Sequence, residues 1–172
     1  MAFSGDNAKT MDATTRRYLT WGLTGMDLGA YLSGYADGEG CFCVTFNRSR
    51  RHRFGWDIRP SFSVSQNRDR AQVLDLFHET LRCGKIRADR SDKTLKYEVR
   101  SAPELVSRVV PHFRRHPLLS AKRSDFEVFA EICEIMGRGE HLTREGFERI
   151  ATLASRINPA GKKRYPRIEI KV

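Results

Sequence analysis

The sequence predicts an α+β protein in which an antiparallel sheet is covered by helices on one face. Apolar and polar residues alternate in four short segments, and these segments form two pairs. Stretches with helical apolar spacing lie before, between and after the pairs. The predicted order is therefore helix, strand pair, helix, strand pair and helices, and the sheet has one apolar and one polar face.

The first predicted helix begins at Asp27, whose side chain can cap it, and ends at Gly38 and Gly40. A basic loop at 48–53 joins the two strands that follow. The apolar positions of this first pair are Phe42, Val44, Phe46, Ile58, Phe62 and Val64. Pro60 is unexpected in the pair, because proline cannot donate to a ladder and normally lies at edges or bulges.

A second helix over 71–81 ends at Cys83 and Gly84, and a polar turn at 90–93 joins the second pair of strands. The apolar positions of this pair are Ile86, Ala88, Leu95, Tyr97 and Val99. Pro103 suits the first turn of a later helix, which Pro111 is expected to disturb. Two further helices are predicted over 120–136, with Ser120 as the N-cap, and over 143–157.

The chain is strongly basic. Lysine and arginine number 31 against 21 aspartate and glutamate, which gives a formal charge of +10 and suits a DNA or RNA partner. The four cysteines lack zinc-ligand spacing, so no structural zinc site is expected. No apolar run is long enough to span a membrane, so we expect a soluble intracellular protein without a membrane partner, in a bacterial cytoplasm or an organelle.

The length predicts one domain over 27–157. An extension at 1–26 precedes it and a basic tail at 158–172 follows it.

Residues 31–40 read Tyr-Leu-Ser-Gly-Tyr-Ala-Asp-Gly-Glu-Gly and lie at the end of the first helix, directly before a strand pair. This segment resembles the motif of the LAGLIDADG homing endonuclease family, with Glu39 in place of the final aspartate. The resemblance extends from about residue 27 to about residue 126. It implies the fold of that family, in which a curved sheet backed by helices binds DNA.

Ala30, Gly34 and Gly38 lie four residues apart, and small residues at this spacing let two helices approach closely. A pair of such helices would bring two Glu39 carboxylates together, and hard oxygen ligands suit Mg²⁺. The alternative is that the glycines serve only packing and Glu39 is a solvated turn residue. The family context favours a dimer interface at Ala30, Gly34 and Gly38.

The resemblance also implies roles for individual residues. Glu39 and the Gly38 carbonyl would hold metal, Gln66 would orient water, and Arg70 and Lys122 would stabilise charge at the phosphate. Arg123 is the alternative to Lys122, because the register of the resemblance to the family is uncertain in this segment. Only one copy of the motif is found, so we expect a homodimer that cuts both strands of a pseudo-palindromic site.

The polar face of the strands is predicted to contact DNA, because a two-stranded ribbon fits the major groove. The alternative is an ordinary solvated face. The candidate DNA-binding residues are Cys43, Thr45, Asn47, Ser49, Arg51, Asp57, Arg59, Ser61, Ser63, Ser65, Lys85, Arg87, Asp89, Thr94, Lys96, Glu98 and Arg100. The sequence thus predicts an intron-encoded, metal-dependent DNA endonuclease. The alternatives are a splicing cofactor that binds intron RNA and a DNA-binding regulator that does not cleave.

Overall fold

The computed structural model describes residues 26–88 and 93–158. In chain order these form α1 (Leu28–Glu39), β1 (Gly40–Arg48), β2 (Trp56–Asn67), a 3-10 turn (Arg68–Arg70), α2 (Gln72–Leu81), β3 (Lys85–Ala88), β4 (Thr94–Val99), α3 (Ala102–Glu104), a π-helical turn (Leu105–Val109), α4 (Val110–Arg115), α5 (Lys122–Gly137), a 3-10 turn (Glu140–Leu142) and α6 (Arg144–Ala154). Asp89, residues 1–25 of the predicted extension and residues 159–172 of the predicted tail lie outside the described residues.

The four strands form one sheet in the order β1-β2-β4-β3, and every neighbouring pair is antiparallel. Both predicted strand pairs are present, and β2 and β4 join them at the centre. Gly40 pairs with Val64 in the first pair, and Phe62 pairs with Val99 where β2 meets β4. This architecture confirms the predicted α+β class with an antiparallel sheet.

The core lies between one face of the sheet and the helices. Phe42 stacks on Phe62 with ring centroids 5.1 Å apart, and both meet Phe113 of α4 at 5.1 to 5.3 Å. Phe126 and Phe129 of α5 close the cluster, and each lies within 5.4 Å of Phe42. Aromatic pairs at these distances add specific geometry to burial. The alternation of apolar residues in the strands therefore points one face of the sheet at α4 and α5.

Pro60 fits the sheet because the neighbouring strand β4 does not extend as far as Pro60. It pairs with Val44 of β1, but the pairing of β2 with β4 begins only at Phe62. At Pro60 the strand is therefore a local edge, where proline is tolerated. The expected conflict with the ladder does not arise.

Of the two predicted helix N-caps, Asp27 is confirmed and Ser120 is wrong. The Asp27 carboxylate accepts a hydrogen bond from the Ala30 N–H at 3.0 Å and caps α1 as expected. Ser120 was expected to cap the helix that follows it, but α5 begins at Lys122 and its N-cap is Ala121. The Ser120 hydroxyl donates to Asp37 at 2.5 Å and accepts from the Lys122 N–H at 3.1 Å, so Ser120 contacts the first residue of α5 from one position before the N-cap.

The helical path from α3 continues past Pro111 to the end of α4, so the proline does not end it. The disturbance is confined to the π-helical turn before it. Because proline lacks an N–H and its ring clashes with the carbonyl four residues earlier, a local widening of the helix is a direct response.

The beginning of α1 is held against the end of α4. The Ser33 hydroxyl donates to the His116 carbonyl at 2.6 Å, and the His116 ring covers Gly29 so closely that a Cβ there would lie 2.3 Å from the ring. Any larger residue at position 29 would therefore require the His116 ring to move. None of the helices formed by residues 26–88 and 93–158 is long and apolar enough to cross a membrane.

Candidate active site and nucleic-acid interface

The end of α1 places Glu39 at the edge of the sheet. Glu39 is the last residue of the helix and is exposed, and Gly40 then starts β1 without an intervening loop. A Cβ on Gly40 would lie 2.5 Å from the Ala36 carbonyl oxygen, so only glycine permits this abrupt passage from helix to strand. The backbone of Glu39 is thereby fixed directly before the first residues of β1.

Lys122, the first residue of α5, reaches the same point. Its Nζ donates to the Ala36 carbonyl at 3.0 Å and to the Gly38 carbonyl at 3.3 Å. These are carbonyls of the last turn of α1, where a positive charge is favourable. Lys122 therefore lies beside the residue that precedes Glu39, whereas Arg123, the alternative in the sequence, is exposed.

Asp37 joins α1 to the start of α5. Its carboxylate accepts hydrogen bonds from the Leu119 N–H at 2.9 Å, the Ser120 N–H at 2.8 Å and the Ser120 hydroxyl. Partial burial acts to raise the pKa of Asp37. The hydrogen bonds from Ser120 and Leu119, with the charge of Lys122, outweigh burial and lower the pKa below its usual value. The carboxylate is thus charged at neutral pH and fixes the approach of Lys122.

Gln66 lies near the same end of α1, on the core side of β2. It follows Val64, which pairs with Gly40, by two residues, and its Nε2 donates to the Tyr35 hydroxyl. Arg70 lies farther along, in the 3-10 turn, where its side chain is 68% exposed and its guanidinium lies 3.6 Å from the Asp69 carboxylate. The structure therefore brings Lys122 and Gln66 to the end of α1, and no contact between described residues links Arg70 to them.

The described residues of one chain do not supply enough side-chain ligands for a metal site. No cluster of three or more histidine, cysteine, aspartate or glutamate side chains that could hold a metal ion occurs among residues 26–88 and 93–158. Glu39 offers one carboxylate, and the Gly38 carbonyl already accepts a hydrogen bond from Lys122. The predicted metal ligands Glu39 and Gly38 therefore make an incomplete site unless a second carboxylate joins them.

One side of α1 is a stripe of small residues that nothing in the described chain covers. Ala30, Gly34 and Gly38 are all exposed, and a Cβ added at Gly34 or Gly38 would meet nothing within 4 Å. Tyr31, which is next to this stripe, is 40% exposed despite its size. Exposed small residues four apart allow close backbone approach of another helix.

The register shows that the polar strand residues share one face, because directly opposed residues point to the same side of a sheet. Thr45 lies opposite Arg59, and Lys96 lies opposite both Ser65 and Arg87. The strand residues on this polar face are Cys41, Cys43, Thr45, Asn47, Asp57, Arg59, Ser61, Ser63, Ser65, Asn67, Lys85, Arg87, Thr94, Lys96 and Glu98. Arg100 follows β4 and bonds to Glu98 on the same face.

Two candidates differ from expectation. Ser49 lies in the loop after β1 rather than at the end of the strand, and its hydroxyl is 2.8 Å from His52 Nδ1, whereas Arg51 lies in that loop as predicted. Ser63 is on the polar face but is buried, because Cys41 and Glu98 flank it in the neighbouring strands. Ser63 is therefore a poor candidate for direct contact with a ligand.

The candidate list also omitted residues that the structure brings to the site. Cys41 and Asn67 are exposed on the polar face, and continuing the alternation by one step from Cys43 and from Ser65 would have found them. In the sequence, Asp37 stands out only as part of the motif. Its contact with Leu119 and Ser120 spans more than eighty residues, so no local sequence signal predicts it.

Comparison with known proteins gives consistent matches. The family model described as LAGLIDADG endonuclease matches residues 32–133. Among curated relatives, the probable intron-encoded endonuclease 2 of Neurospora crassa is 28% identical over 130 residues, which is 75% of this chain and 29% of that protein. The chain spans about a quarter to two fifths of the length of the curated relatives it matches.

Solved structures agree with this match. The crystal structure of the homing endonuclease I-TnaI is 35% identical with a TM-score of 0.71, over 76% of this chain and 87% of that chain. The homing endonuclease I-LtrWI bound to its target DNA is 30% identical with a TM-score of 0.73, over 76% of this chain and 44% of that one. With the family model covering more than half of its residues, the chain belongs to the LAGLIDADG endonuclease family.

Proposed function

We propose that this protein is an intron-encoded homing endonuclease that hydrolyses phosphodiester bonds at a specific DNA site. The observation that carries the proposal is the position of Glu39. Glu39 is exposed, directly precedes the strand that carries the polar face, and directly follows Gly38, whose carbonyl Lys122 contacts. A carboxylate and an ammonium at this position suit cleavage of a phosphate backbone that lies on the basic face beyond them.

The proposed DNA-binding surface is the polar face. Its arginines and lysines, with Arg100, number five, and its acids are Asp57 and Glu98. An excess of positive charge on one face of a sheet suits the phosphates and base edges of a major groove. I-LtrWI, a relative by fold and sequence, is bound to its target DNA.

The proposed assembly is a homodimer formed along the stripe of Ala30, Gly34 and Gly38. The stripe is exposed and has space for a neighbouring backbone. The chain covers 44% of I-LtrWI, so a second copy would occupy the place of the other half of that protein. A twofold dimer would read a pseudo-palindromic site.

The dimer also completes the metal site. Two α1 helices paired at the stripe would bring two Glu39 carboxylates together, and such oxygen ligands suit Mg²⁺. The bound divalent ion would supply positive charge for the scissile phosphate and lower the pKa of a bound water. Gly38 contributes through the carbonyl lone pair that Lys122 leaves free.

The remaining residues have roles that follow from their contacts. An ammonium has three donors, and Lys122 uses two of them on the carbonyls of Ala36 and Gly38, which leaves one for a phosphate oxygen. Gln66 is held by Tyr35 and can orient a water molecule with its amide. Arg70 is exposed in the 3-10 turn after β2 and would approach the phosphate only when DNA is bound.

The test compares Glu39→Gln with the wild-type protein on duplexes selected by the wild-type protein from a randomised DNA pool. We expect Mg²⁺-dependent cleavage by the wild type, and no detectable cleavage by the variant at unchanged DNA affinity, because the sheet supplies binding while the carboxylate supplies chemistry. Glu148→Gln is the matched control, since Glu148 is an exposed acid on α6. Binding without cleavage by the wild type would indicate a regulator, and preference for the encoding intron RNA over DNA would indicate a splicing cofactor.

A further inference from the structure

Two carboxylates lie on the polar face, where they would repel a phosphate backbone. The side chains of Glu98 and Asp57 are only 11% and 19% exposed, whereas the arginines they contact are 45% to 61% exposed. The acids therefore lie beneath the arginines rather than competing with them for solvent.

The same atom of each arginine binds the carboxylate. Arg59 Nε donates to Asp57 Oδ2 at 2.6 Å, and Arg87 Nε donates to Glu98 Oε2 at 3.2 Å. Arg100 Nε also lies 2.9 Å from Glu98 Oε2, and its Nη2 donates to Oε1 at 3.1 Å. A guanidinium bound through Nε keeps its terminal nitrogens for another partner, and within residues 26–88 and 93–158 no hydrogen bond or ion pair occupies the terminal nitrogens of Arg59 or Arg87.

The register explains how the backbone supports these contacts. Asp57 and Arg59 are two residues apart on β2 and therefore point to the same side. Arg87 of β3 is diagonal to Glu98, because Lys85 is the residue directly opposite Glu98. In each contact the backbone positions of both partners are set by strand pairing, and the carboxylate restricts the long arginine side chain.

Restricting an arginine matters more for reading a base than for stability. Exposed ion pairs add little to the stability of a fold. A free arginine, in contrast, loses much rotamer entropy when it binds, and this loss is smaller if the fork is already oriented. A terminal fork directed outward from a strand matches the O6 and N7 acceptors of guanine in the major groove.

We propose that Asp57 and Glu98 are positioning residues that orient Arg59 and Arg87 to read guanine. This inference rests on the proposed function, since it requires that the polar face reads DNA. Arg100, which gives two of its donors to Glu98, serves to complete the coordination of that carboxylate. The bases read would be guanines at two positions in each half-site of a symmetric target.

Positioning and simple charge predict opposite results when an acid is neutralised. If Glu98 acted only as a negative charge, Glu98→Gln would tighten binding to every DNA sequence, because repulsion of the phosphates falls. If it orients Arg87, the variant loses preference for guanine at one base pair of each half-site, while its affinity for unrelated DNA stays equal or rises. Asp57→Asn gives an independent test with Arg59.

The experiment measures affinity for all single-base variants of a duplex that the wild-type protein selects from a randomised pool. For Glu98→Gln we expect the preference for guanine at the affected base pair to fall by about fivefold or more, within the range of a good bidentate contact. Arg87→Ala should lose preference at the same base pair, and adding Glu98→Gln to it should cause no further loss there. Glu131→Gln is the control, because it breaks an ion pair with Arg149 in the helical layer.

The outcomes separate the inference from the proposed function. If the wild-type protein selects no DNA sequence, the proposed function fails and the inference fails with it. If the wild type selects a sequence but Glu98→Gln and Asp57→Asn keep its base preferences, only the inference is overturned. A loss of the same preference in Glu131→Gln would also overturn it, because the effect would then be unrelated to the polar face. Thermal unfolding of each variant verifies that its fold is retained.

Discussion

Replacing Asp37 by alanine tests whether this carboxylate holds the end of α1 to the beginning of α5. The change removes hydrogen bonds from two N–H groups and one hydroxyl. Hydrogen bonds to charged groups contribute about 1.5–3 kcal/mol each, and loss of a helix cap costs about 0.5–2 kcal/mol. Because Asp37 is partly solvated, we expect a loss of about 2 kcal/mol in the free energy of unfolding, nearer the value for a single cap. This corresponds to a fall of about 4–8 °C in Tm.

The pH dependence identifies the charge as the cause. The pKa of Asp37 is lowered in the folded state, so its stabilising contribution is complete above the ordinary aspartate value and is lost as pH falls through the lower folded value. Urea unfolding of wild type and Asp37→Ala at pH 7, 5, 4 and 3 should show a difference that is constant down to about pH 5 and then shrinks. A difference that is absent at pH 7, or equally large at pH 3, would refute the reasoning.

The same variant should lose DNA cleavage to a greater extent than its stability explains, because Lys122 is no longer held at the Gly38 carbonyl. Cleavage is compared at a temperature where both proteins are folded. Asp27→Ala is the matched control, since Asp27 caps the opposite end of α1 through Ala30. Equal loss of cleavage in both variants would mean that general loosening of α1, rather than the position of Lys122, is responsible.

Three further changes test other contacts. Lys122→Met should abolish cleavage while Arg123→Met retains it, as measured on the selected duplex; equal effects would remove Lys122 from the site. Gly34→Leu should leave the folded monomer as stable as before or slightly more so, because nothing lies within 4 Å of its Cβ and leucine is the better helix former, yet sedimentation should show loss of the dimer. Gly29→Ala should lower the unfolding free energy by about 1 kcal/mol, because displacing the His116 ring costs about 1–3 kcal/mol and the better helix propensity of alanine offsets about 1 kcal/mol; an unchanged denaturation midpoint would contradict this contact.

The local periodicity of apolar residues was sufficient to predict the helices and strands. Alternation with a period of two placed Phe42, Val44 and Phe46 on one side of β1, and the structure buries all three. The cap at Asp27 was predictable because it depends only on a bond to Ala30, three residues away. The polar face could be predicted from the same alternation, since side chains on a strand point to opposite sides in turn.

Contacts between distant residues were not predictable from these patterns. Serine suits a helix cap, and the Ser120 hydroxyl does accept from the Lys122 N–H, but its donation to Asp37, 83 residues away, has no local signal in the sequence. The ion pairs of Glu98 with Arg87 and Arg100 also depend on which strands become neighbours. The type and spacing of a residue limit the partners to which it can bond. They do not predict which of those partners the folded chain brings within bonding distance.

The sequence by itself determined the α+β class, the two strand pairs, the motif helix that is stopped by Gly38 and Gly40, and the basic polar face, because each depends on the periodicity or chemistry of adjacent residues. Only the tertiary structure decided that Lys122, rather than Arg123, contacts the Gly38 carbonyl and that Gln66 binds Tyr35. These contacts arise where α1, β2 and α5 meet. Their geometry depends on the packing of the core beneath them, which local patterns in the sequence do not specify.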